Sequence, residues 1–274
     1  MEWHRAKTIL IILFLCVNIF LLSILVNSNN KSGFDKEGLN NLLAKNNITV
    51  DQSNLPHPDT RIFVPEFYGV NDEIIRFFIP KIQKVDGTTY SNAGKTLIVE
   101  GNKISYTDAS PTDISFRNIN TRNIKSKLKP ALTALGVYKH AVLENVSASD
   151  GMYLAEFSYR IDKHEIFYSR LTFLISSRGI MKCEGAIYST NKKSGYSYEI
   201  NTSETILVQF SQNYKDSPTN ITSVRLGLYI LDYENALTTQ AIPAYEISTD
   251  NKTYIYDARI GVDIKDREVG ESLR

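Results

Sequence analysis

A long apolar stretch near the amino terminus constrains this chain more than any other feature. Residues 9–26 read ILIILFLCVNIFLLSILV, and only Asn18 and Ser23 among them are polar. Folded as an α-helix, this stretch rises about 27 Å, which is close to the hydrocarbon thickness of a bilayer. Most of its residues are Leu, Ile, Phe or Val, and their summed insertion free energy is at best about −5 to −9 kcal/mol. The sequence therefore predicts a membrane-spanning helix.

The flanks of this stretch predict that it is retained as a signal anchor. A cleavable secretory signal has an apolar core of about 7–15 residues followed by a small-residue cleavage site. Here the core is longer and continues into Asn27-Ser28-Asn29. Arg5 and Lys7 lie just before the span, so the positive-inside tendency places residues 1–8 in the cytoplasm and the chain after residue 26 outside.

Charge and cysteine content narrow the class of the exported part. The chain has 31 basic and 30 acidic residues, a balance that gives no footprint for nucleic acid. Of its two cysteines, Cys16 lies in the predicted span and Cys183 is alone outside it, so no disulfide can form within the exported part. An exported region of this size without disulfides is typical of a bacterial cell surface.

Beyond a tether at residues 27–34, an amphipathic helix followed by antiparallel strands recurs three times. The helices are predicted from apolar residues at helical spacing: Leu39, Leu42 and Leu43; Ile124, Leu128, Ala131, Leu132 and Leu135; Ile206, Leu207, Phe210 and Tyr214. Strands are predicted from alternation or short apolar runs at residues 48–50, 61–68, 73–79, 95–100, 103–107, 153–161, 165–175, 180–188, 224–230, 244–248 and 253–258.

Capping residues give the expected ends of these helices. Asp35 and Asn201 are expected as N-caps of the first and third helices, and Gly136 as the C-cap of the second. Pro130 lies inside the second helical pattern. Either the helix kinks there, or Pro130 belongs to the first turn of a shorter helix.

These elements predict an α+β fold. One amino-terminal transmembrane helix is followed by an extracytoplasmic region of two lobes, each with helices packed on an antiparallel sheet. The polar stretch at residues 108–120 is the expected boundary. The first lobe is therefore placed at residues 35–118, the second at residues 121–264, and a tail at residues 265–274.

Enzymatic and metal-binding motifs are not apparent in the sequence. The four histidines, His4, His57, His140 and His164, have no metal-ligand spacing. Cys183 alternates with Met181 and Ile187, which indicates a buried apolar position and not a nucleophile. We therefore expect a chain that is not an enzyme and that uses no cofactor and no metal ion.

Both ends of the chain resemble the YycI family, also called WalI. The similar segments are Met1-Glu2-Trp3, Arg5-Ala6-Lys7-Thr8, Asn18-Ile19-Phe20-Leu21, Ala241-Ile242-Pro243-Ala244-Tyr245-Glu246-Ile247 and Tyr254-Ile255-Tyr256-Asp257-Ala258. Members are single-span proteins of Gram-positive bacteria with an exported α+β region. They act with a sister protein, YycH, on the sensor kinase of the essential cell-wall two-component system.

The resemblance implies a non-catalytic regulator that is anchored in the cell membrane. Its expected partners are a sensor histidine kinase similar to WalK (YycG), which signals through WalR (YycF), and a YycH-like protein. An alternative is an exported binding module, with lobes like those of protease-inhibitory domains, that captures a wall enzyme, a protease or a ligand. An anchored hydrolase ranks last, because no nucleophile and base lie at a recognisable spacing.

Asn18 is the expected contact between the span and transmembrane helices of the kinase. An amide facing lipid would leave its donors and acceptor unsatisfied, so it favours a helix–helix interface; alternatively, the amide bonds its own backbone or tolerates the cost. Its neighbours at helical spacing are Ile11, Phe14, Leu15, Leu21, Leu22 and Leu25. Ser23 lies elsewhere around the helix.

The predicted topology can be tested by cysteine labelling on intact cells. In a chain whose native cysteines are replaced by alanine, Ser32→Cys should react with a membrane-impermeant thiol reagent, because residue 32 is expected outside. Glu2→Cys should react only after the cells are opened. Labelling of Glu2→Cys on intact cells, or a mature protein that begins near residue 28, would contradict the assignment.

Overall fold

The structure is a computed structural model that describes residues 7, 13–15, 17–18, 36–51, 53, 55–57, 59–81, 83–84, 86–214, 218–231 and 238–264. Most of the predicted span, the tether at residues 27–34, the N-cap at Asp35 and the tail at residues 265–274 lie outside these residues. The described residues between 7 and 18 are helical. In the part of the chain that is described, no helix combines the length and apolar character needed to cross a bilayer.

From residue 36 onward, short helices alternate with many strands. The helices are α1 (Lys36–Lys45), α2 (Asp72–Phe78), α3 (Ile124–Lys127), α4 (Lys129–Ala134) and α5 (Ser203–Asn213), with a 3-10 turn at Ile114–Phe116. The strands are β1 (Ile48–Val50), β2 (Arg61–Tyr68), β3 (Gln83–Lys84), β4 (Thr89–Asn92), β5 (Lys95–Glu100), β6 (Lys103–Asp108), β7 (Ala141–Ser149), β8 (Met152–Ile161), β9 (His164–Glu165), β10 (Leu171–Ser176), β11 (Gly179–Ala186), β12 (Ser189–Glu199), β13 (Thr219–Leu231), β14 (Thr238–Thr249) and β15 (Thr253–Asp257). The α+β class predicted from the sequence is confirmed.

The strands form two sheets, here called sheet I and sheet II. Sheet I has the order β1-β13-β14-β2-β12, and β15 pairs with β14. Sheet II has the order β3-β4-β5-β6-β11-β10-β8-β7, and β9 pairs with β8. Neighbouring strands are antiparallel except β1 and β13, which are parallel.

Sheet II is nested within sheet I along the chain. Strands β3 to β11 form sheet II, whereas sheet I is built from β1 and β2 before them and β12 to β15 after them. The lobes expected at residues 35–118 and 121–264 therefore do not coincide with the sheets. The repeated helix-then-strands pattern is local, but the pairing of β6 with β11 and of β2 with β12 joins strands far apart in sequence.

The strand predicted at residues 73–79 is wrong, because this segment is helix α2. Asn71 caps the helix, and its side-chain oxygen accepts a hydrogen bond from the Ile74 amide at 3.0 Å. Asp72 and Glu73 occupy the first turn, where carboxylates are favourable. The apolar run has no alternation that identifies a strand, so the capping residues decide its conformation.

The second predicted helix is divided into α3 and α4 at Leu128. Pro130 lies in the first turn of α4, as in the shorter-helix alternative, because its missing amide hydrogen is not needed there. Gly136 has φ +71°, and the Val137 amide bonds back to the Leu132 carbonyl at 2.9 Å. Its expected role in ending the helix is confirmed.

The third helix begins one residue later than expected. Thr202, not Asn201, is the N-cap of α5, and its hydroxyl accepts from the Thr205 amide at 3.4 Å. The Asn201 side chain instead donates to the Arg259 carbonyl at 3.0 Å. Two adjacent residues could both cap the helix, and the long-range bond to Arg259 decides between them.

The strand predicted at residues 165–175 is interrupted. β9 ends at Glu165 and β10 begins at Leu171, with Tyr168 between them in the left-handed region at φ +57°. β7 and β12 were not predicted, because small and polar residues such as those at 147–149 and 194–197 give little alternation.

Two large apolar clusters form the core. One packs sheet II and the strand β2 against α2, α3 and α4, with buried residues such as Phe78, Leu132 and Phe173. The other lies between sheet I and helices α1 and α5. Phe210 of α5 is fully buried there, and its ring centroid lies 5.2 Å from that of Tyr254 and 6.0 Å from that of Tyr256.

The two sheets meet where the segment after β9 crosses β13. The Ile166 amide donates to Tyr159 of sheet II at 2.9 Å, and the next amide, Phe167, donates to Leu228 of sheet I at 2.8 Å. Gly227 permits this approach, because a Cβ there would lie 2.6 Å from the Glu165 carbonyl oxygen and 2.6 Å from the Phe167 ring. We call this contact the sheet junction.

Gly227→Ala should lower the free energy of unfolding by about 1–3 kcal/mol, because the added methyl overpacks the sheet junction. Gly87→Ala is the matched control, since a Cβ at that exposed position has no atom within 4 Å and should change stability by less than about 0.5 kcal/mol. Urea unfolding followed by circular dichroism measures both. Equal stability of the two variants would show that the junction can absorb a methyl group.

Candidate functional site

The residues predicted to contact partner helices are only partly described. Phe14, Leu15 and Asn18 are helical, and the first two are 68% and 60% exposed. Asn18 is also exposed and lies four residues from Phe14 and three from Leu15, so the three share one helix face. Ile11, Leu21, Leu22 and Leu25 lie outside the described residues.

The apolar side chains around Asn18 share this exposure. Leu13 is 59% exposed and Val17 is 47% exposed. Exposed apolar side chains close together on a helix are typical of a contact with another protein or with a membrane.

Next to the sheet junction, Arg225 holds together carboxylates from both sheets. Its Nε and Nη2 atoms donate to Glu246 Oε1 at 2.9 and 2.5 Å, and its Nη1 donates to Glu165 Oε2 at 2.9 Å. Glu246 belongs to sheet I and Glu165 to β9 of sheet II, so this ion triad joins the two sheets. The Arg225 guanidinium also lies 5.4 Å from the centre of the Phe167 ring.

The triad is stable because the buried carboxylate is compensated. The Glu246 side chain is only 8% exposed, and an unpaired carboxylate at such a place would carry a large desolvation cost. Burial lowers the pKa of Arg225, but the hydrogen bonds and charges of Glu246 and then Glu165 outweigh it and raise that pKa overall. Arg225 therefore stays charged at any physiological pH.

Tyr168 stands beside the triad in a strained backbone conformation. Its φ is +57°, and a positive φ is rare for a bulky residue. Its side chain is 65% exposed. Desolvation and then the charge and hydrogen bond of Glu246 raise the pKa of its phenol. Ser169 stabilises the turn, because its hydroxyl donates a hydrogen bond to the Ile166 carbonyl at 2.6 Å.

Two cavities meet at Tyr168 and Arg170. A charged pocket of about 540 Å³ contains the ion triad together with Glu144, Glu156 and Arg160. A larger opening of about 890 Å³, here called the intersheet groove, lies between β6 and β11 of sheet II and β13 and β15 of sheet I. Tyr168 and Arg170 line both.

The intersheet groove is mainly apolar with a basic margin. Its apolar lining includes Ile104, Phe167, Tyr188, Tyr229, Ile230 and Ile255. Lys103, Arg170 and Lys252 supply positive charge, and Glu184 is its carboxylate. Because Glu184 Oε1 accepts from Lys182 Nζ at 2.7 Å, the carboxylate is already compensated.

Groups suited to covalent or metal chemistry are dispersed in the described part of the chain. Cys183 is fully buried, as the alternation predicted, and burial raises the pKa of its thiol well above the ordinary value. Such a thiol is not a nucleophile at neutral pH. Among the described residues, no three His, Cys, Asp or Glu side chains gather as a metal site would require.

Sequence reasoning did not find Arg225, Glu246, Tyr168 or Arg170 as site residues. Arg225 and Glu246 are charged positions inside two predicted strands, at residues 224–230 and 244–248, which is a usable signal. Their pairing could not be predicted from the sequence. The two residues are direct partners in the β13–β14 register, which only the structure shows.

Comparisons with known proteins find solved structures that are similar to this chain, three of which are described here. No protein-family model and no curated protein matches it. An uncharacterized protein from Eubacterium rectale is 10% identical, with a TM-score of 0.46 over 79% of this chain and 88% of that one. The Bacillus megaterium YpeB C-terminal domain is 13% identical, with a TM-score of 0.32 over 72% of this chain and 96% of that domain.

YycH from Bacillus subtilis is also similar. It is 12% identical, with a TM-score of 0.40 over 72% of this chain. This chain spans about half of the length of YycH, 52%. The solved structures to which the chain is similar thus include two Bacillus proteins, and identities this low carry no statement about activity.

Removing the positive charge of the triad should destabilise the fold. Arg225→Met leaves the buried Glu246 carboxylate without its counter-ion and should cost about 1–3 kcal/mol of unfolding free energy. In a double-mutant cycle, Glu246→Gln should recover part of this loss. Arg61→Met is the matched control, because its partner Glu199 is 76% exposed and such pairs contribute at most about 1 kcal/mol.

The free energy of unfolding is measured in urea for Arg225→Met, Glu246→Gln, the double variant that combines them, and Arg61→Met. If Arg225→Met costs no more than Arg61→Met, the triad does not join the sheets energetically.

Proposed function

We propose that this chain is a membrane-anchored regulator without catalytic activity, which binds a sensor histidine kinase that controls cell-wall metabolism and acts with a YycH-like protein. The resemblance of both chain ends to the YycI family supports this proposal. The apolar stretch at residues 9–26 supplies the anchor, with residues 1–8 in the cytoplasm and the sheets outside the cell.

The observation that carries the proposal is the exposed apolar helix surface around Asn18. Phe14 and Leu15 are 68% and 60% exposed, and apolar residues precede and follow them in the sequence. Lipid and partner helices together would cover it. Within a bilayer, an amide bonded across a helix interface contributes about 0.6–2 kcal/mol, and close packing supplies the remainder of the association energy.

In this mechanism the kinase and the regulator recognise each other through transmembrane helices. Asn18 offers two donors and one acceptor, and Ile11, Phe14, Leu15, Leu21, Leu22 and Leu25 would pack beside it. The sheets outside the membrane then affect the kinase through the position of this helix. The direction of the effect depends on which kinase state the helix binds more tightly.

The alternative function is an exported binding module that captures a wall enzyme, a protease or a ligand. The intersheet groove favours it, since an open apolar site with a few charged side chains is the usual form of a binding site. The two functions are compatible, because a ligand in the groove could change the contacts made outside the membrane.

Asn18→Leu should insert in the membrane at least as well as the parent chain but associate severalfold more weakly with a WalK-like kinase. The expected loss follows from the missing interhelical hydrogen bond. Ser23→Leu is the matched control, because it makes the same polar-to-leucine change away from the predicted face. Crosslinking in membranes followed by co-purification measures the association.

Equal kinase recovery with Asn18→Leu and the parent chain would rule out this contact. Recognition would then belong to the region outside the membrane.

A further inference from the structure

The intersheet groove has the size and lining of a small-molecule site. Its volume of about 890 Å³ falls within the range of about 300–1,000 Å³ that such sites occupy. Phe167 and Ile255 in its lining are 3% and 2% exposed, so they are held in place by packing. A ligand would therefore meet a preformed apolar surface and would not have to order it.

The charge at the groove is positive and partly uncompensated. Arg170 is exposed, and no carboxylate pairs with it among the residues that the structure describes. Lys252 also lines the groove, but its ammonium lies 4.7 Å from the centre of the Tyr254 ring, which packs on Phe210 outside the groove. Lys103 adds a third positive charge, whereas Glu184 is already paired with Lys182.

The position of Arg170 is fixed by its backbone. Gly185 of β11 has φ +142°, and a Cβ there would lie 2.1 Å from the Arg170 carbonyl oxygen. The glycine thus allows the Arg170 backbone to lie directly on sheet II. Ser169 holds the turn that precedes Arg170. The Arg170 side chain therefore extends from a backbone of defined position at the edge of the groove.

We propose that the intersheet groove binds an anionic amphiphile with a single acyl chain. The acyl chain lies along Ile104, Tyr229 and Ile230, and its carboxylate or phosphate lies beside Arg170. Burial of the chain supplies most of the affinity, and the charged hydrogen bonds select an anionic head group.

An acidic peptide is the competing occupant, and the strand pairing disfavours it along the wall that sheet II supplies. On the other wall, β15 pairs with β14 alone among the described strands, so an acidic-peptide probe decides between the two occupants. Strands β6 and β11 form one wall, and each is already paired on both sides, β6 with β5 and β11, and β11 with β6 and β10. A peptide laid along that wall would find no free backbone donors or acceptors, so its own amides would be buried unpaired. An acyl chain has no such groups.

Photo-crosslinking of the full chain tests the proposal. The chain is placed in nanodiscs of zwitterionic phosphatidylcholine and exposed to dodecanoate that carries an alkyl diazirine. Dodecyl phosphate and dodecyltrimethylammonium with the same diazirine are run beside it, to separate the two anionic head groups from each other and from a cation. Labelling is measured on the tryptic peptide of residues 183–192, which contains Gly185, Ala186 and Tyr188.

Both anionic probes, or one of them, should label this peptide, and the cationic probe should not. Dodecanoate shortened to eight carbons should label it at least about tenfold less, because four CH₂ groups are lost. An acidic peptide of alternating Asp and Val that carries a diazirine is tested as the competing occupant. If it labels residues 183–192 and dodecanoate does not, the groove belongs to a protein partner and the proposal is wrong.

Two pairs of variants locate the bound probe. Arg170→Gln should lower labelling about tenfold, whereas Arg178→Gln, an equal loss of charge in an exposed turn, should leave it unchanged. Ala186→Phe should fill the groove and abolish labelling, whereas Ala148→Phe on the exposed end of β7 should not. Equal labelling by the cationic probe, or labelling of Arg170→Gln equal to that of Arg178→Gln, would overturn the proposal even if Ala186→Phe fails to fold.

Discussion

The passage of residues 165–167 between the two sheets is the constraint on which the rest of this structure depends. Ile166 bonds to one sheet and Phe167 to the other, so this dipeptide joins the two sheets directly through the backbone. Only the missing side chain of Gly227 allows the Glu165 carbonyl so close to β13. The ion triad, the strained turn at Tyr168 and the groove all lie within a few residues of this passage, and each takes its position from it.

The local elements of this fold were largely predictable, because they depend on neighbours in the sequence. Val224 and Leu228 of β13 are buried in the core, as their alternation predicted. Gly136 ends a helix, as its position predicted. The strand prediction for residues 73–79 failed because this apolar run fits a strand as well as a helix, and the cap at Asn71 with the acidic first turn favours the helix. Cys183 shows the opposite case, in which simple alternation was enough to predict burial.

The candidate site was much less predictable, since it is made by contacts between distant segments. Arg225 could be recognised as a charge within an apolar strand, but its partners Glu246 and Glu165 lie on separate strands whose register the sequence does not state. Tyr168 was hidden because the apolar residues on both sides of it read as one continuous strand. In contrast, Asn18 could be identified from the sequence alone, because a polar residue within an apolar stretch is recognised without knowing its contacts.

The nested order of the sheets has a consequence for the sequence of events in folding. Ser189 at the start of β12 pairs with Tyr68 at the end of β2, and its hydroxyl donates to the Tyr68 carbonyl at 3.0 Å. As the chain is synthesised from its amino terminus, all strands of sheet II are complete once residue 186 has emerged. β1 and β2 must wait for β12 to β14, and loop closure over such a distance is slow. These two early strands therefore keep unpaired backbone edges until the later strands of sheet I are made, and such edges are prone to misassociation.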